Sequence, residues 1–253
     1  MQSIVPELMV WNEPLKIRQF DVDLNGRATS ASLCSHFLEA AWNHAEALGV
    51  GFTHLSKLGK LWVLSRMRIE AKNYPTWGSE GTLRTWPRAV THVFAMRDFE
   101  ILNKSGAVMI AGTSAWLVLD MATRRPQRIS KILPGFEEIK NRATLGRDPE
   151  KVPDNDVWER SSSATVHYTD LDVNGHMNSS HYISALLNDY PIEFHRSHWV
   201  SALEINYLEE ARAGDALKVQ THSSEPSQFS HSIVRENGDE VCRAQIEWKA
   251  NTP

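Results

Sequence analysis

The stretch YTDLDVNGHMNSSHYISALLNDY, residues Tyr168–Tyr190, joins a polar turn to an apolar helical face. In Tyr182, Ile183, Leu186, Leu187 and Tyr190 the apolar residues recur three and four apart, the spacing of one buried face of an α-helix. Ahead of that face stands an Asn-Gly turn, and Asn178, Ser179 or Ser180 can each cap the first helical turn with a side-chain oxygen. Asp172, Asn174 and His176 alternate through the turn, so a carboxylate, an amide and an imidazole gather beside the helix start. Backbone N–H groups at such an end attract a carbonyl oxygen that is gaining negative charge. Taken alone, Asp, Asn and Gly are ordinary turn formers, and a histidine among them needs no function.

A second copy changes that weighing. Phe20–Gly51 runs FDVDLNGRATSASLCSHFLEAAWNHAEALGVG, and Leu33, Phe37, Ala41, Ala45 and Leu48 line one face of a helix that stops at Gly49. Asp23 and Asp172 stand 149 residues apart, and so do Asn25 and Asn174, Gly26 and Gly175, and Arg27 and His176. Segments rich in β-branched and aromatic residues follow each helix, the pattern of an antiparallel sheet. They are Leu61–Ala71, Gly81–Ala89, Thr91–Asn103 and Ala107–Asp120 in the first half, and Val200–Leu208, Asp215–Ser223, Gln228–Glu236 and Glu240–Ala250 in the second. The correspondence continues there, with Gly78 and Gly214 separated by 136 residues, and Gly106/Gly238 and Trp116/Trp248 by 132. At the separation of 136, Tyr74 stands where the second half has Glu210. A repeat of this length occurring twice is a duplicated domain rather than a solenoid. The expected fold class is α+β: two tandem domains, residues 1–133 and 161–253, each a long central helix wrapped by an antiparallel β-sheet. Pro134, Pro149, Pro153 and many charges mark 134–160 as a linker, with a short helix expected at Phe136–Arg142.

Composition bounds the rest. The chain has 253 residues, 42% hydrophobic, with a net charge of −4. That is ordinary globular material, and its mild acidity argues against a general nucleic-acid binder. No apolar run reaches membrane-spanning length, and the first residues carry no signal- or transit-peptide pattern, so a cytoplasmic chain is expected. Cys34 and Cys242 are too few for a disulfide framework and lack metal-ligand spacing. His195 and His198 have no evident third ligand, and no Gly-x-Ser-x-Gly elbow is present. The nine tryptophans, Trp42, Trp62, Trp77, Trp86 and Trp116 among them, are expected in the core and in pocket walls. One basic cluster, TRRPQR at Thr123–Arg128, interrupts the charge balance.

A helix wrapped by an antiparallel sheet, preceded by an Asp/Asn/His turn, resembles the hotdog fold. Two such units in one chain, with YPTWGSEGTLRTWPRA (Tyr74–Ala89), SAWLVLDMATRRPQRIS (Ser114–Ser130) and DLDVNGHMNSSHYI (Asp170–Ile183), resemble the acyl-acyl carrier protein thioesterases of plants and bacteria over roughly Phe20–Ala250. The resemblance implies hydrolysis of the thioester between a fatty acyl chain and acyl carrier protein, with catalysis in the second hotdog and acyl-chain selection in the first. It places the catalytic residues at Asp172, Asn174, His176 and Glu210, with Glu209 a lesser alternative because one extra residue precedes Asp215. Plant members carry a cysteine directly after that glutamate, and here the position is Ala211. This departure removes a Cys-His-Asn mechanism.

The chemistry expected of these residues needs no metal and no organic cofactor. Glu210 is the candidate base for a water, Asn174 positions water or substrate, and His176 holds the water or shuttles its proton. Asp172 orients its neighbours. Spacing does not divide the base role between Glu210 and His176. In the first copy Arg27 is a poor proton shuttle and Tyr74 is no carboxylate, so that copy lacks the pair. An acidic carrier protein is expected to dock at Arg124, Arg125 and Arg128. Coenzyme A thioesters are the close alternative, and a dehydratase or a non-catalytic acyl-binding module the more distant ones. The two halves can pair with each other, which makes a homodimer optional.

Overall fold

Repeating the same run of turn, helix and strands twice in one chain builds two half-sheets with the same strand order. A computed structural model of the chain describes residues 9–91, 93–133, 135–136 and 141–251. In the first half these are β1 (Trp11–Lys16), α1 (Ser30–Ala47), α2 (Phe52–Leu55), β2 (Lys60–Ala71), β3 (Glu80–Thr91), β4 (Phe94–Asn103), β5 (Val108–Asp120), β6 (Pro126–Gln127) and α3 (Ile129–Ile132). In the second they are β7 (Arg160–Thr165), α4 (Ser179–Leu187), α5 (Ile192–Ser197), β8 (His198–Tyr207), β9 (Ala216–Glu225), β10 (Gln228–Arg235) and β11 (Glu240–Ala250). The sheet runs β1-β3-β4-β5-β2-β8-β11-β10-β9-β7, with β6 attached to β5. Read from its outer edge, each half has the same order, and all pairings are antiparallel. The duplication is visible in the backbone too: Gly26 and Gly175 have φ of 70° and 76°, and Gly78 and Gly214 of 79° and 87°.

The halves join where β2 meets β8. Arg66 faces Asn206, Arg68 faces Glu204 and Glu70 faces Ala202. Arg68 and Glu204 are themselves 136 residues apart, equivalent positions of the two copies, so an approximate two-fold axis passes between them. In a symmetric dimer that point would hold two identical side chains. Here it holds an ion pair, Arg68 Nη1 to Glu204 Oε2 at 2.9 Å, buried at 8% and 3% side-chain exposure.

Each helix is positioned by its cap and its buried face. Thr29 caps α1 by accepting from Ser32 N, and Leu33, Phe37, Ala40 and Ala41 are buried against the sheet. Phe37 stacks on Phe99 at 4.6 Å, and it reaches the sheet because residue 112 is glycine, where a Cβ would lie 2.7 Å from the Phe37 ring. Full burial of a side chain of this size contributes about 1.5–3 kcal/mol. In the second copy Asn178 is the cap, accepting from Ser180 N, and Tyr182, Ile183 and Leu186 are buried. This helix is nine residues long, shorter than the long central helix expected. Pro191 is the reason, because it disfavours helical geometry at Tyr190, which is buried but lies beyond the helix. The tryptophans divide: Trp86 and Trp248 are buried, whereas Trp42 and Trp77 are 48% and 65% exposed, so the expectation of core placement fails for those two.

Of the expected short helix at 136–142, residues 137–140 lie outside the described residues. From residue 141 the segment between the halves is a strap bonded across buried polar groups of the sheet. Arg142 gives two hydrogen bonds of 2.8 Å to Glu100, Thr144 N donates to Asp98, and Arg147 pairs with Glu204. Further along, Val152 N donates to Asn206 Oδ1. Burial alone would raise the Glu100 carboxyl, but the bonds from Arg142, Thr144 and Arg84 outweigh it and hold the group at about 2. Buried carboxylates are tolerated only with such partners, and the strap supplies many of them.

Candidate active site

The turn before α4 is built around one carboxylate. Asp172 Oδ1 accepts from Asn174 N at 2.8 Å and from His176 N at 3.2 Å, while Asp172 N donates to His176 O at 2.8 Å. Asn174 Nδ2 leans on Asp172 Oδ2 at 3.4 Å. The first copy repeats all of this: Asp23 Oδ1 accepts from Asn25 N at 2.8 Å and from Arg27 N at 3.1 Å, and Asn25 Nδ2 lies 3.4 Å from Asp23 Oδ2. A bond set shared by both copies belongs to the turn. Asp172 therefore acts on the site by fixing the backbone under Asn174 and His176.

Glu210 reaches the turn through a short backbone pairing. His176 bridges Arg212, and Met177 N donates to Ala211 O at 2.8 Å. This sets His176 Nε2 3.2 Å from Glu210 Oε2, with the two side chains 22% and 31% exposed. Glu209 points elsewhere, its Oε2 accepting from Arg235 Nη1 at 2.8 Å. Arg235 also donates to Glu210 O and, through Nε, to Asp215 Oδ2 at 3.1 Å. From below, Tyr182 Oη accepts from Ala211 N at 2.9 Å and donates to Glu209 O at 3.3 Å. Burial pushes that phenol up to about 12, so it stays protonated and able to donate. The sequence reading missed both fixtures: Tyr182 was legible only as part of an apolar face, and Arg235 lies in no motif.

The remaining oxygen of Glu210, Oε1, is held by Arg124 Nη2 from the first half. Of the basic cluster expected to receive a carrier protein, one member is thus engaged inside the site. The helix tip departs from expectation as well. Ser180 N is taken by the Asn178 cap and His181 N donates to Asn178 O, so those two amides are already used.

In the first copy the same place has a different task. Arg27 Nη1 donates to Asn251 Oδ1 at 2.6 Å, Asn25 Nδ2 to His195 O at 2.8 Å, and Tyr74 Oη lies 2.9 Å from Ser30 Oγ. Asn251 in turn donates through Nδ2 to Arg196 O. The turn that carries Arg27 clamps the end of β11 and α5 of the other half. The segment that follows the last long strand of each half thus reaches the opposite copy, Asn251 meeting Arg27 in the turn before α1 and Arg124 meeting Glu210 in the loop after β8.

The other candidates lie apart from this pair. Cys34 and Cys242 are free and fully buried, and burial pushes both thiols up, that of Cys34 to about 12, so neither presents a thiolate. His195 Nε2 is bonded to Leu187 O and His198 Nδ1 to Ser197 Oγ, and no group of three metal-ligating residues occurs among the described residues. A surface groove lined by Leu15, Ile17, Pro75, Ile101 and Met109 lies on the first half and includes none of the four expected site residues. Among the described residues no helix is long and apolar enough to cross a membrane.

Two helix-in-sheet copies joined through one sheet, with an imidazole–carboxylate pair beside the turn of the later copy, define a tandem hotdog chain. Two family models match it, one described as the acyl-ACP thioesterase N-terminal domain over residues 9–133 and one as the C-terminal domain over 155–250. The chain belongs to the acyl-ACP thioesterase family. Among curated relatives, a palmitoyl-acyl carrier protein thioesterase of Gossypium hirsutum is 28% identical over 270 residues, covering 98% of this chain and 65% of its own length. A dodecanoyl-[acyl-carrier-protein] hydrolase of Cinnamomum camphora is 28% identical, covering 96% and 69%. The chain thus spans about 65% of the length of the first of these relatives. Among solved structures, an acyl-ACP thioesterase from Bacteroides thetaiotaomicron superposes with a TM-score of 0.87 at 26% identity, covering 96% of this chain and 99% of that one. The 12:0-ACP thioesterase from Umbellularia californica gives 0.85 at 25% identity, covering 96% and 98%.

Proposed function

We propose that this chain hydrolyses the thioester of a fatty acyl group carried on acyl carrier protein, releasing the free fatty acid and so ending chain elongation. The observation that carries the reading is the 3.2 Å contact of His176 and Glu210 in one copy, against Arg27 and Tyr74 at the equivalent places in the other. A thioester carbonyl is electrophilic and its thiolate leaves readily, so the reaction asks for an activated water and a proton for the sulfur. Glu210 takes a proton from the water as its oxygen attacks the carbonyl carbon. The tetrahedral intermediate collapses with cleavage of the C–S bond as the proton moves from Glu210 to His176 across their contact and on to the departing thiolate, which returns both side chains to their starting state. Asn174 orients the water or the carbonyl, and Asp172 holds the turn that carries both. This route uses side chains and water alone. Residues 161–253 do the chemistry, residues 1–133 select the acyl chain, and the strap within 134–160 fixes one to the other.

Arg125 and Arg128 are the cations of the basic cluster that this reading leaves for docking the acidic carrier. The free state of both cysteines suits a reducing compartment such as the cytoplasm. Because the halves already pair through β2 and β8, a second copy of the chain is optional.

The test compares acyl carrier protein and coenzyme A as donors at equal acyl length, across short to long chains. We expect free acid from the carrier donor at the lower KM, and charge reversal at Arg125 and Arg128 to raise KM for that donor by about tenfold while leaving coenzyme A thioesters unaffected. Equal rates on both donors, insensitive to the reversal, would favour the coenzyme A reading. Binding of acyl thioesters without release of thiol would leave only an acyl-binding module.

A further inference from the structure

We infer that Arg124, supplied by the half without the catalytic pair, is a positioning residue that sets the orientation of Glu210 toward His176. The inference deepens the reading of Glu210 as the base and rests on it. Its footing is the way the carboxylate is shared. Oε2 faces His176 Nε2 at 3.2 Å, and Oε1 is taken by Arg124 Nη2. A carboxylate gripped at one oxygen has little freedom to turn about its last torsion, so its other oxygen stays aimed at one partner.

The turn that presents Arg124 is held with unusual care. Asp120 Oδ1 accepts from Ala122 N at 3.1 Å, from Thr123 N at 2.8 Å and from Thr123 Oγ1 at 3.0 Å, while Lys60 Nζ donates to Oδ2 at 2.6 Å. Arg124 N donates to Asp120 O at 2.8 Å, and Met121 N to Gly59 O at 2.9 Å. Within this frame Arg124 has a φ of 57°, and among the described residues no other non-glycine residue has a positive φ. Glycine would take that conformation at no steric cost, so an arginine there is kept at the expense of local strain. The ion pair that results is 46% and 31% exposed, and pairs so exposed contribute little to stability. Strain that stability does not repay points to the site.

Pseudo-symmetry supplies a second line. Asn251, after β11, meets Arg27 of the first copy, while Arg124, after β5, meets Glu210 of the second. The segment following the last long strand of each half thus reaches the polar residues beside the helix start of the opposite half, Arg27 directly in one and His176 through Glu210 in the other. In one copy it contributes an amide to a clamp, and in the other a cation to the catalytic carboxylate. The site is composite, and the first half completes it.

The experiment is steady-state hydrolysis by Arg124→Ala and Arg124→Lys, each on an acyl carrier protein thioester and on the same acyl group carried by pantetheine, and each repeated in a Glu210→Gln background. Arg124→Ala is expected to lower kcat about 10- to 100-fold on both donors, the scale of a misplaced catalytic group, with KM changed by no more than about twofold. Arg124→Lys keeps the charge without the planar fork and recovers part of kcat. In the Glu210→Gln background removal of Arg124 has no further effect, because a residue acting through Glu210 has nothing left to orient. A rise in KM confined to the carrier donor with kcat unchanged would overturn the inference and return Arg124 to docking. A loss of the same size in the Glu210→Gln background would overturn it too. If Glu210→Gln by itself left kcat intact, the fault would lie in the base assignment.

Discussion

Glu210→Gln is expected to lower kcat about 100- to 10,000-fold, the contribution of a positioned general base, while the fold and KM for the acyl thioester stay close to those of the parent chain. Glutamine keeps the size of the side chain and its capacity to accept from Arg124, but it cannot take a proton from water. His176→Ala is expected to fall within the same range, since the imidazole stands 3.2 Å from Glu210 and the thiolate then leaves without a donor. The double variant should be little worse than either single one, because two groups acting on one proton path do not contribute independently. No thiol stands by to replace them: the residue after Glu210 is Ala211, which is buried. A loss below about tenfold in both single variants would mean that the pair is a structural ion pair and that the chemistry lies elsewhere.

Arg68→Ala is expected to cost about 3 kcal/mol of stability, the lower end of the range for stripping one partner from a buried ion pair. The lower end applies because Glu204 keeps Arg147 at 2.9 Å and accepts from Glu150 N at 2.5 Å after Arg68 is gone. Urea unfolding followed by tryptophan fluorescence should show one transition, shifted to lower denaturant. The halves share a continuous sheet, and the strap is bonded to both, so they are expected to unfold together. Replacing Arg68 and Glu204 jointly by leucine should cost far less, since an apolar pair leaves no buried charge uncompensated. Two separate transitions in the parent chain would show instead that the β2–β8 junction does not couple the halves. The ion pair also bears on specificity: opposite charges at the pseudo-two-fold position favour pairing of the first half with the second over pairing of like with like.

Much of the architecture was legible because it rests on periodicity and repetition. The α1 face at Leu33, Phe37 and Ala41 lies where the helical spacing placed it, and the eight long strands lie close to the segments rich in β-branched and aromatic residues. What escaped was set by context. β1 includes Pro14 and charged residues, and β7 is a run of serines; both are edge strands, where sequence is chosen to avoid aggregation rather than to fill a core. The helical face drawn through Tyr190 was longer than the helix, because burial continues past the point where Pro191 ends it. The strap read as a linker because prolines and charges mark both, and only tertiary structure shows that its arginines and amides meet buried carboxylates. At the site, the Asp-Asn-His turn and the correspondence of Tyr74 with Glu210 could be read from the duplication. Arg124 could be read as a cation but not as a neighbour of Glu210, since 86 residues separate them and no local pattern links them.

The most direct measurement is a single turnover in ¹⁸O-labelled water, with the chain in excess over an acyl carrier protein thioester, followed by mass analysis of the fatty acid and of the peptide containing Glu210. Water attacking the carbonyl directly, with Glu210 as its base, puts one ¹⁸O into the released acid and none into the peptide. Label in the Glu210 peptide, or an unlabelled acid, would mean that the carboxylate itself had attacked the thioester, and would contradict the account.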